Sequence, residues 1–254
     1  MQAQPYAETF AVRAYEVDPA GRVTVQNLCN YMQEVAAVHA AQLGLPFERM
    51  RREQLAWVLA RLQITLEKQL PAAGEHVTVE TWPSRIEGLQ FRRDFIASRA
   101  DGTVAARGIS HWVVVNYVTR RLVRIPEFIA KDKLMCDREA MPDSALRFPQ
   151  PATEEPACCF QALRADIDRN LHVNNVRYLD WVLESAPDSV QNASFLRHLE
   201  ILFKAEAFRG DAILAFTAPM PGDNDGSVHL VHSLVRTHDN KELVRARSSW
   251  ESNA

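Results

Sequence analysis

No run of this sequence is both apolar and long enough to cross a bilayer as a helix, so a helical membrane protein is excluded. Cysteine is scarce. Cys29, Cys136, Cys158 and Cys159 form no C-x-x-C pair, and adjacent cysteines clamp zinc poorly. The thiols read instead as small apolar residues kept reduced. The histidines show no H-E-x-x-H or similar ligand spacing, so neither a structural metal nor a cofactor is expected. Positive charge is not in excess: the formal net charge is −3, which provides no global field for nucleic acid. The first residues, Met1-Gln2-Ala3-Gln4-Pro5, lack a basic segment followed by an apolar one. The expectation is therefore a cytoplasmic protein without a secretory signal.

What is present is an ordinary globular balance. Of 254 residues, 47% are hydrophobic and 24% charged, enough for one large core or two small ones. Residues 6–14 alternate as a strand. Asp18-Pro19-Ala20-Gly21 is turn chemistry. A helix beginning near Arg22 or Thr24 follows, with Val25, Leu28, Cys29, Met32, Val35, Ala36 and His39 on one face, and Gly44-Leu45-Pro46 ends it. Strand patterns then cover Trp57–Leu66, His76–Trp82, Leu89–Arg99 and Thr103–Asn116, with Asp101-Gly102 as a hairpin signal. Long strands joined by tight turns point to an antiparallel sheet.

From residue 121 to 156 the chain is rich in proline and poor in periodicity, which reads as a linker with a short helix at Glu127–Lys133. The pattern then restarts. Phe160–Ile167 is a strand, Val173–Ala186 a helix, and Leu196–Glu206, Ala212–Ala218, Ser227–Thr237 and Glu242–Trp250 are strands. At an offset of 150, Asp18, Val23, Tyr31, Glu34 and Ala36 fall on Asp168, Val173, Trp181, Glu184 and Ala186. At an offset of 138, Arg107, Ser110 and Trp112 fall on Arg245, Ser248 and Trp250. Pattern and residues agree, so the chain is a duplicated α+β unit. The expected organisation is residues 1–120, a linker 121–156, and residues 157–254.

The organising stretch runs from Arg164 to Trp181. Asp168, Asn170 and His172 alternate, so an extended backbone would aim a carboxylate, an amide and an imidazole into one volume just before a helix N-terminus. Such a trio can hold and deprotonate water, and free N–H groups at Val173, Asn174 and Asn175 can polarise a carbonyl oxygen. Asp and Asn also gather before helices simply to cap them and build turns, and the spacing alone favours that simpler role. The repeat bears on the choice: Asn170 and His172 stand opposite Ala20 and Arg22, an asymmetry that capping alone does not require. One active site in the second half is expected, with the first half as scaffold or substrate cradle.

Asp166-Ile167-Asp168-Arg169-Asn170-Leu171-His172-Val173-Asn174-Asn175-Val176-Arg177-Tyr178 resembles the D-L-D-x-N-x-H-V-N-N-x-x-Y block of acyl-acyl carrier protein thioesterases. Trp57-Val58-Leu59-Ala60-Arg61-Leu62, Arg92-Arg93-Asp94 and Val118-Thr119-Arg120-Arg121-Leu122 are similar to weaker motifs of the same family. The resemblance implies a tandem hotdog fold, with two long helices each wrapped by a curved antiparallel sheet, and hydrolysis of fatty acyl-carrier thioesters. It implies catalytic roles for Asp168, Asn170 and His172, and for a glutamate on the strand after the helix, here Glu206. The next position, often Cys in the plant enzymes, is Ala207, so a thiol nucleophile at that position is not expected. Glu206 would activate water with His172 sharing the proton, Asn170 would orient water or carbonyl, and Asp168 would fix the loop and meet the helix-end N–H groups.

Val25, Leu28, Met32 and Val35 are candidates to line an acyl tunnel, or else plain core. The implied partner is an acidic acyl carrier protein, for which Arg49, Arg51 and Arg52, or Arg120, Arg121 and Arg124, offer positive charge. A homodimer is compatible with the sequence. Coenzyme A thioesters are the rival substrate class, and a non-catalytic acyl-binding module is the rival role.

Overall fold

The structure is a computed structural model that describes residues 4–126, 135–144, 148–220 and 226–253. The expected helix at Glu127–Lys133 lies outside the described residues. The chain divides into two compact units at Asp143/Ser144. The proline-rich stretch is thus largely not a linker. Arg121–Val123 forms a short strand on the first unit's sheet, and Val123, Ile125 and Met135 pack on the cluster of Leu45, Met50, Phe91 and Val114. Trp82 Nε1 donates to Arg138 O at 2.6 Å, and the Arg92 guanidinium binds both Asp94 and Met141 O. Proline interrupts regular structure in this stretch, but apolar and polar side chains still dock it on the sheet.

The first unit contains β1 (Tyr6–Ala11), α1 (Val25–Gln42), α2 (Phe47–Arg52), β2 (Leu55–Leu66), β3 (His76–Glu87), β4 (Gln90–Arg99), β5 (Val104–Asn116) and β6 (Arg121–Val123). Its antiparallel strands lie in the order β1-β3-β4-β5-β2, with β6 pairing β5. Thr24 caps α1 by accepting the Asn27 N–H. Val25, Leu28, Met32 and Val35 are 7%, 0%, 2% and 0% exposed. Met32 packs where a side chain at Gly108 of β5 would otherwise sit. Fully burying such a side chain contributes about 1.5–3 kcal/mol, which is why this face seats α1 on the sheet.

The second unit contains β7 (Cys158–Gln161), a 3-10 turn (Arg164–Asp166), α3 (Asn175–Glu184), α4 (Asp188–Ala193), β8 (Ser194–Phe203), β9 (Ala212–Pro219), β10 (Val228–Arg236) and β11 (Lys241–Ser252). The strand order is β7-β9-β10-β11-β8, the same arrangement as in the first unit. Val176, Tyr178, Leu179, Trp181, Val182 and Leu183 form the buried part of α3. The expected helix Val173–Ala186 is shorter at both ends because Asn174 caps it and Pro187 follows. The short helices α2 and α4 give too few turns for a periodic signal.

The duplication reaches individual hydrogen bonds. Asp18 N–H donates to Arg22 O, and Asp168 N–H to His172 O. Val23 N–H donates to Pro71 O, and Val173 N–H to Ala207 O. Trp112 Nε1 donates to Ser110 Oγ, and Trp250 Nε1 to Ser248 Oγ, both at 2.8 Å. The Pro71/Ala207 correspondence places Leu70 of the first unit opposite Glu206 of the second.

Candidate active site

The candidate stretch around Asp168–His172 is a tight turn rather than an extended segment. Asp168 Oδ1 accepts the Asn170 N–H at 2.7 Å, and Asp168 Oδ2 lies 3.3 Å from Asn170 Nδ2. Leu171 N–H closes the turn on Asp168 O. The alternation of Asp168, Asn170 and His172 therefore does not aim three side chains in one direction. Asp168 and Asn170 pair within the turn, and His172 emerges from its far end. Asp168 bonds within the turn, and the helix-end N–H groups that it was expected to meet are met by other residues. Asn174 Oδ1 caps the Val176 N–H, and Asp166 O accepts the Asn174 N–H.

Leu171 occupies the left-handed region with φ 66°, where Gly21 of the first unit has φ 77°. A residue with a Cβ gives up about 1 kcal/mol there, which glycine does not. The Leu171 side chain is nonetheless 75% exposed.

Glu206 lies three residues beyond the end of β8 rather than on the strand. Lys204 and Ala205 N–H both bond Leu243 O, so the chain leaves the β8–β11 ladder at this point. The next peptide is fastened from three sides. Arg236 Nη1 donates to Glu206 O at 2.9 Å, Ala207 N–H donates to Tyr178 Oη at 2.8 Å, and Val173 N–H donates to Ala207 O at 2.9 Å. Burial pushes the Tyr178 hydroxyl above its ordinary pKa, so it stays a neutral phenol whose oxygen is free to accept. Arg236 is in turn clamped by Asp239 at 3.0 and 2.7 Å. That hydrogen-bonded pair pulls the Asp239 carboxyl down to about 2.

The consequence is the central contact. His172 Nδ1 lies 3.3 Å from Glu206 Oε1, with the two side chains 29% and 40% exposed. The Phe208 ring meets the imidazole edge-on, 5.1 Å between centroids. A half-exposed carboxylate–imidazole contact contributes roughly 0–1 kcal/mol to stability, too little to account for three separate backbone tethers on Glu206 and Ala207. What the arrangement can do is hold one water beside a directly paired carboxylate and imidazole and take its proton.

Two of the three expected oxyanion donors are committed elsewhere. Val173 N–H bonds Ala207 O, and Asn174 N–H bonds Asp166 O. Among the described residues, the Asn175 N–H is the one of the three without a protein acceptor. Val25, Leu28, Met32 and Val35 are packed as core of the first unit. The groove of about 400 Å³ in that unit is lined by Glu67, Lys68, Gln69, Arg99, Asp101, Thr103 and Val104, a polar set remote in chemistry from an alkyl tunnel.

Sequence reasoning missed the residues that place the site. Asp166, 4% exposed, accepts the Leu163 N–H and binds Arg177 Nε at 2.8 Å, which ties the start of the loop to α3. The repeat held a signal for it, because Glu16 accepts the Arg13 N–H in the same way. Tyr178 and Arg236 act through the Glu206–Ala207 backbone, which no side-chain pattern marks.

Two repeated antiparallel sheets, each carrying a helix, define a double-hotdog protein, and the His172–Glu206 contact is its candidate centre. Comparison with known proteins narrows the class. The acyl-ACP thioesterase N-terminal domain matches residues 3–132, and the C-terminal domain matches residues 150–252. An Arabidopsis thaliana oleoyl-acyl carrier protein thioesterase is 32% identical over 96% of this chain and 75% of the plant protein. A Gossypium hirsutum palmitoyl-acyl carrier protein thioesterase is 28% identical over 96% of this chain, which spans 63% of that relative's length. The structure of a 12:0-ACP thioesterase from Umbellularia californica superposes with TM-score 0.86 at 27% identity, over 98% of this chain and 94% of the other. An acyl-ACP thioesterase from Bacteroides thetaiotaomicron shares the fold at TM-score 0.86 and 24% identity, over 97% of this chain and 98% of the other. This chain belongs to the acyl-ACP thioesterase family.

Proposed function

We propose that this protein hydrolyses fatty acyl-acyl carrier protein thioesters by direct attack of water held at Glu206 and His172. The observation that carries the reading is the 3.3 Å approach of His172 Nδ1 to Glu206 Oε1, on a peptide tethered from three sides. The water oxygen attacks the thioester carbonyl carbon and its proton passes to the Glu206–His172 pair. The tetrahedral intermediate collapses with cleavage of the carbon–sulfur bond. The proton returns to the departing thiolate, leaving a free fatty acid and a thiol. The pair acts as one unit, and Glu206 is the better base of the two acids because Asp168 is occupied by Asn170. Asn175 N–H is the remaining helix-end donor for the oxyanion. Ala207 supplies no nucleophile, so no covalent step is needed.

The carrier protein belongs to the same proposal. Tyr117 Oη donates to Arg51 O at 3.0 Å, which brings the β5–β6 hairpin beside α2. Arg51, Arg52, Arg120, Arg121 and Arg124 are exposed around this join and would meet an acidic carrier. Val25, Leu28, Met32 and Val35, the expected acyl lining, are core of the first unit, and an alkyl chain reaches them only by displacing their contacts. A cytoplasmic site of action is also proposed and suits the four free thiols. Cell fractionation checks it.

The experiment is turnover of one acyl group presented on carrier protein and on coenzyme A by wild type and by Glu206→Ala, Asp168→Ala and His172→Ala. Preference for carrier protein, with large losses in the His172 and Glu206 variants, supports the proposal. Near wild-type rates in all three variants contradict it. A Michaelis constant on carrier protein that ignores salt removes the arginine surface from it.

A further inference from the structure

Three of the large apolar side chains that the second unit leaves in water lie on the loops that carry His172 and follow Glu206. Leu171 is 75% exposed, Leu163 58% and Phe208 38%. They belong to one loop cluster. Leu171 precedes His172, and Phe208 lies against the imidazole. Leu163 follows Ala162, whose N–H and carbonyl bond Asp211 and Gly210 of the Phe208 turn. The duplicate unit has the same loop cluster without these groups. Matching hydrogen bonds put Arg13 opposite Leu163, Gly21 opposite Leu171 and Ala72 opposite Phe208. The first unit's matching loop exposes Tyr15, at 77%, in place of these three, so the two loop clusters differ in which apolar groups they present. At Leu171 an apolar side chain is kept against the backbone's own preference, since φ 66° suits glycine and the side chain gains no packing in exchange.

We propose that Leu171 and Phe208, with Leu163 behind them, form a lip that seats the first methylenes of the acyl group beside the thioester carbonyl and so favours long alkyl chains over short ones. This rests on the hydrolase reading. The occupant is the alkyl segment because Phe208 lies against His172 and the three side chains are themselves apolar. Closing the lip over an alkyl chain removes apolar surface from water on both sides. A short acyl group offers little such surface. The lip therefore acts on discrimination between chain lengths, whereas His172 and Glu206 act on every substrate.

The test compares dodecanoyl and butyryl thioesters on the same carrier protein, using wild type, Leu171→Gly and Phe208→Ala. Leu171→Gly is expected to lower the dodecanoyl-to-butyryl ratio of kcat/KM about tenfold, with Tm unchanged or raised because the left-handed strain is relieved. Phe208→Ala is expected to move the ratio in the same direction. Binding of a non-hydrolysable dodecanoyl amide analogue of the thioester, weakened by the same variants, keeps the inference separate from the hydrolase reading. Loss of analogue binding without any wild-type turnover would sustain the lip and end the hydrolase reading. Turnover with an unchanged length ratio would end the lip and leave the hydrolase. An equal loss on both chain lengths, confined to carrier protein and absent on coenzyme A, would also overturn the proposal, because the rim would then be touching the carrier itself.

Discussion

The two units of this protein use one frame for different ends. Each has a tight turn built on an aspartate, a capped helix and a five-strand order that matches its partner's. They diverge at a few side chains held in equivalent places: Ala20 and Asn170, Gly21 and Leu171, Arg22 and His172, Leu70 and Glu206. In the first unit, Arg22 turns its guanidinium to Lys68 O, a backbone contact that reinforces the loop. In the second unit, the imidazole at the same place meets a carboxylate. In the proposed function, reactivity depends on two side chains set on a backbone that hydrogen bonds hold in place.

The comparison breaks most sharply if the second unit is given the first unit's residues. His172→Arg and Glu206→Leu should each lower kcat by about 10³-fold, the scale of a lost general base, while the protein remains folded by circular dichroism. Tyr178→Phe should follow. It strands the buried Ala207 N–H, which costs about 1–3 kcal/mol in chemical denaturation, and loosens Glu206 enough to lower kcat about tenfold. A smaller effect separates the two turn aspartates. Asp18→Ala and Asp168→Ala each remove hydrogen bonds to turn N–H groups, about 1 kcal/mol of stability apiece, but only the second should alter turnover. Equal turnover losses in the two would mean that the first unit takes part in the chemistry.

The last difference is electrostatic. His232 is fully buried between Thr217 and Ser248, and burial pushes it down to about 3. Phe95 holds the matching position in the first unit, by its pairing with Thr81 and Gly108. The unfolded histidine takes up a proton near pH 6.5, and the folded one only near 3. Its contribution is complete above that upper value and is lost as pH falls, by up to about 1.4 kcal/mol per pH unit. His232→Phe should flatten the fall of stability between neutral and acid pH, measured by urea denaturation across that range. An unchanged slope would show that protonation of His232 does not govern it.

Much of this was legible in the residues. The offset repeat exposed the duplication, and the asymmetry at Asn170 and His172 pointed to the second unit as the place of the candidate site. Apolar spacing located α1 and the strands, because burial enforces period on both. The direction of side chains in the catalytic turn was not legible. A single left-handed residue at Leu171 reverses the alternation, and that conformation is ordinarily signalled by glycine. Glu206 was reached through family resemblance, since beside Lys204 and Arg209 it looks like any surface acid. The tethers from Tyr178 and Arg236 were invisible because they grip backbone atoms. The proline-rich stretch misled for a related reason: proline marks the loss of regular structure, not the loss of packing, and Arg138, Ala140 and Met141 bind the sheet through their backbones.

The central claim is that Glu206 and His172 handle one water as a unit. A double-mutant cycle on kcat/KM with acyl-carrier protein tests it most directly, using Glu206→Ala, His172→Ala and the pair together. Each single variant should lose about 10³-fold, and the double variant should lose little more than either. Losses that multiply in the double variant would show two independent groups, and the shared-water account would be wrong.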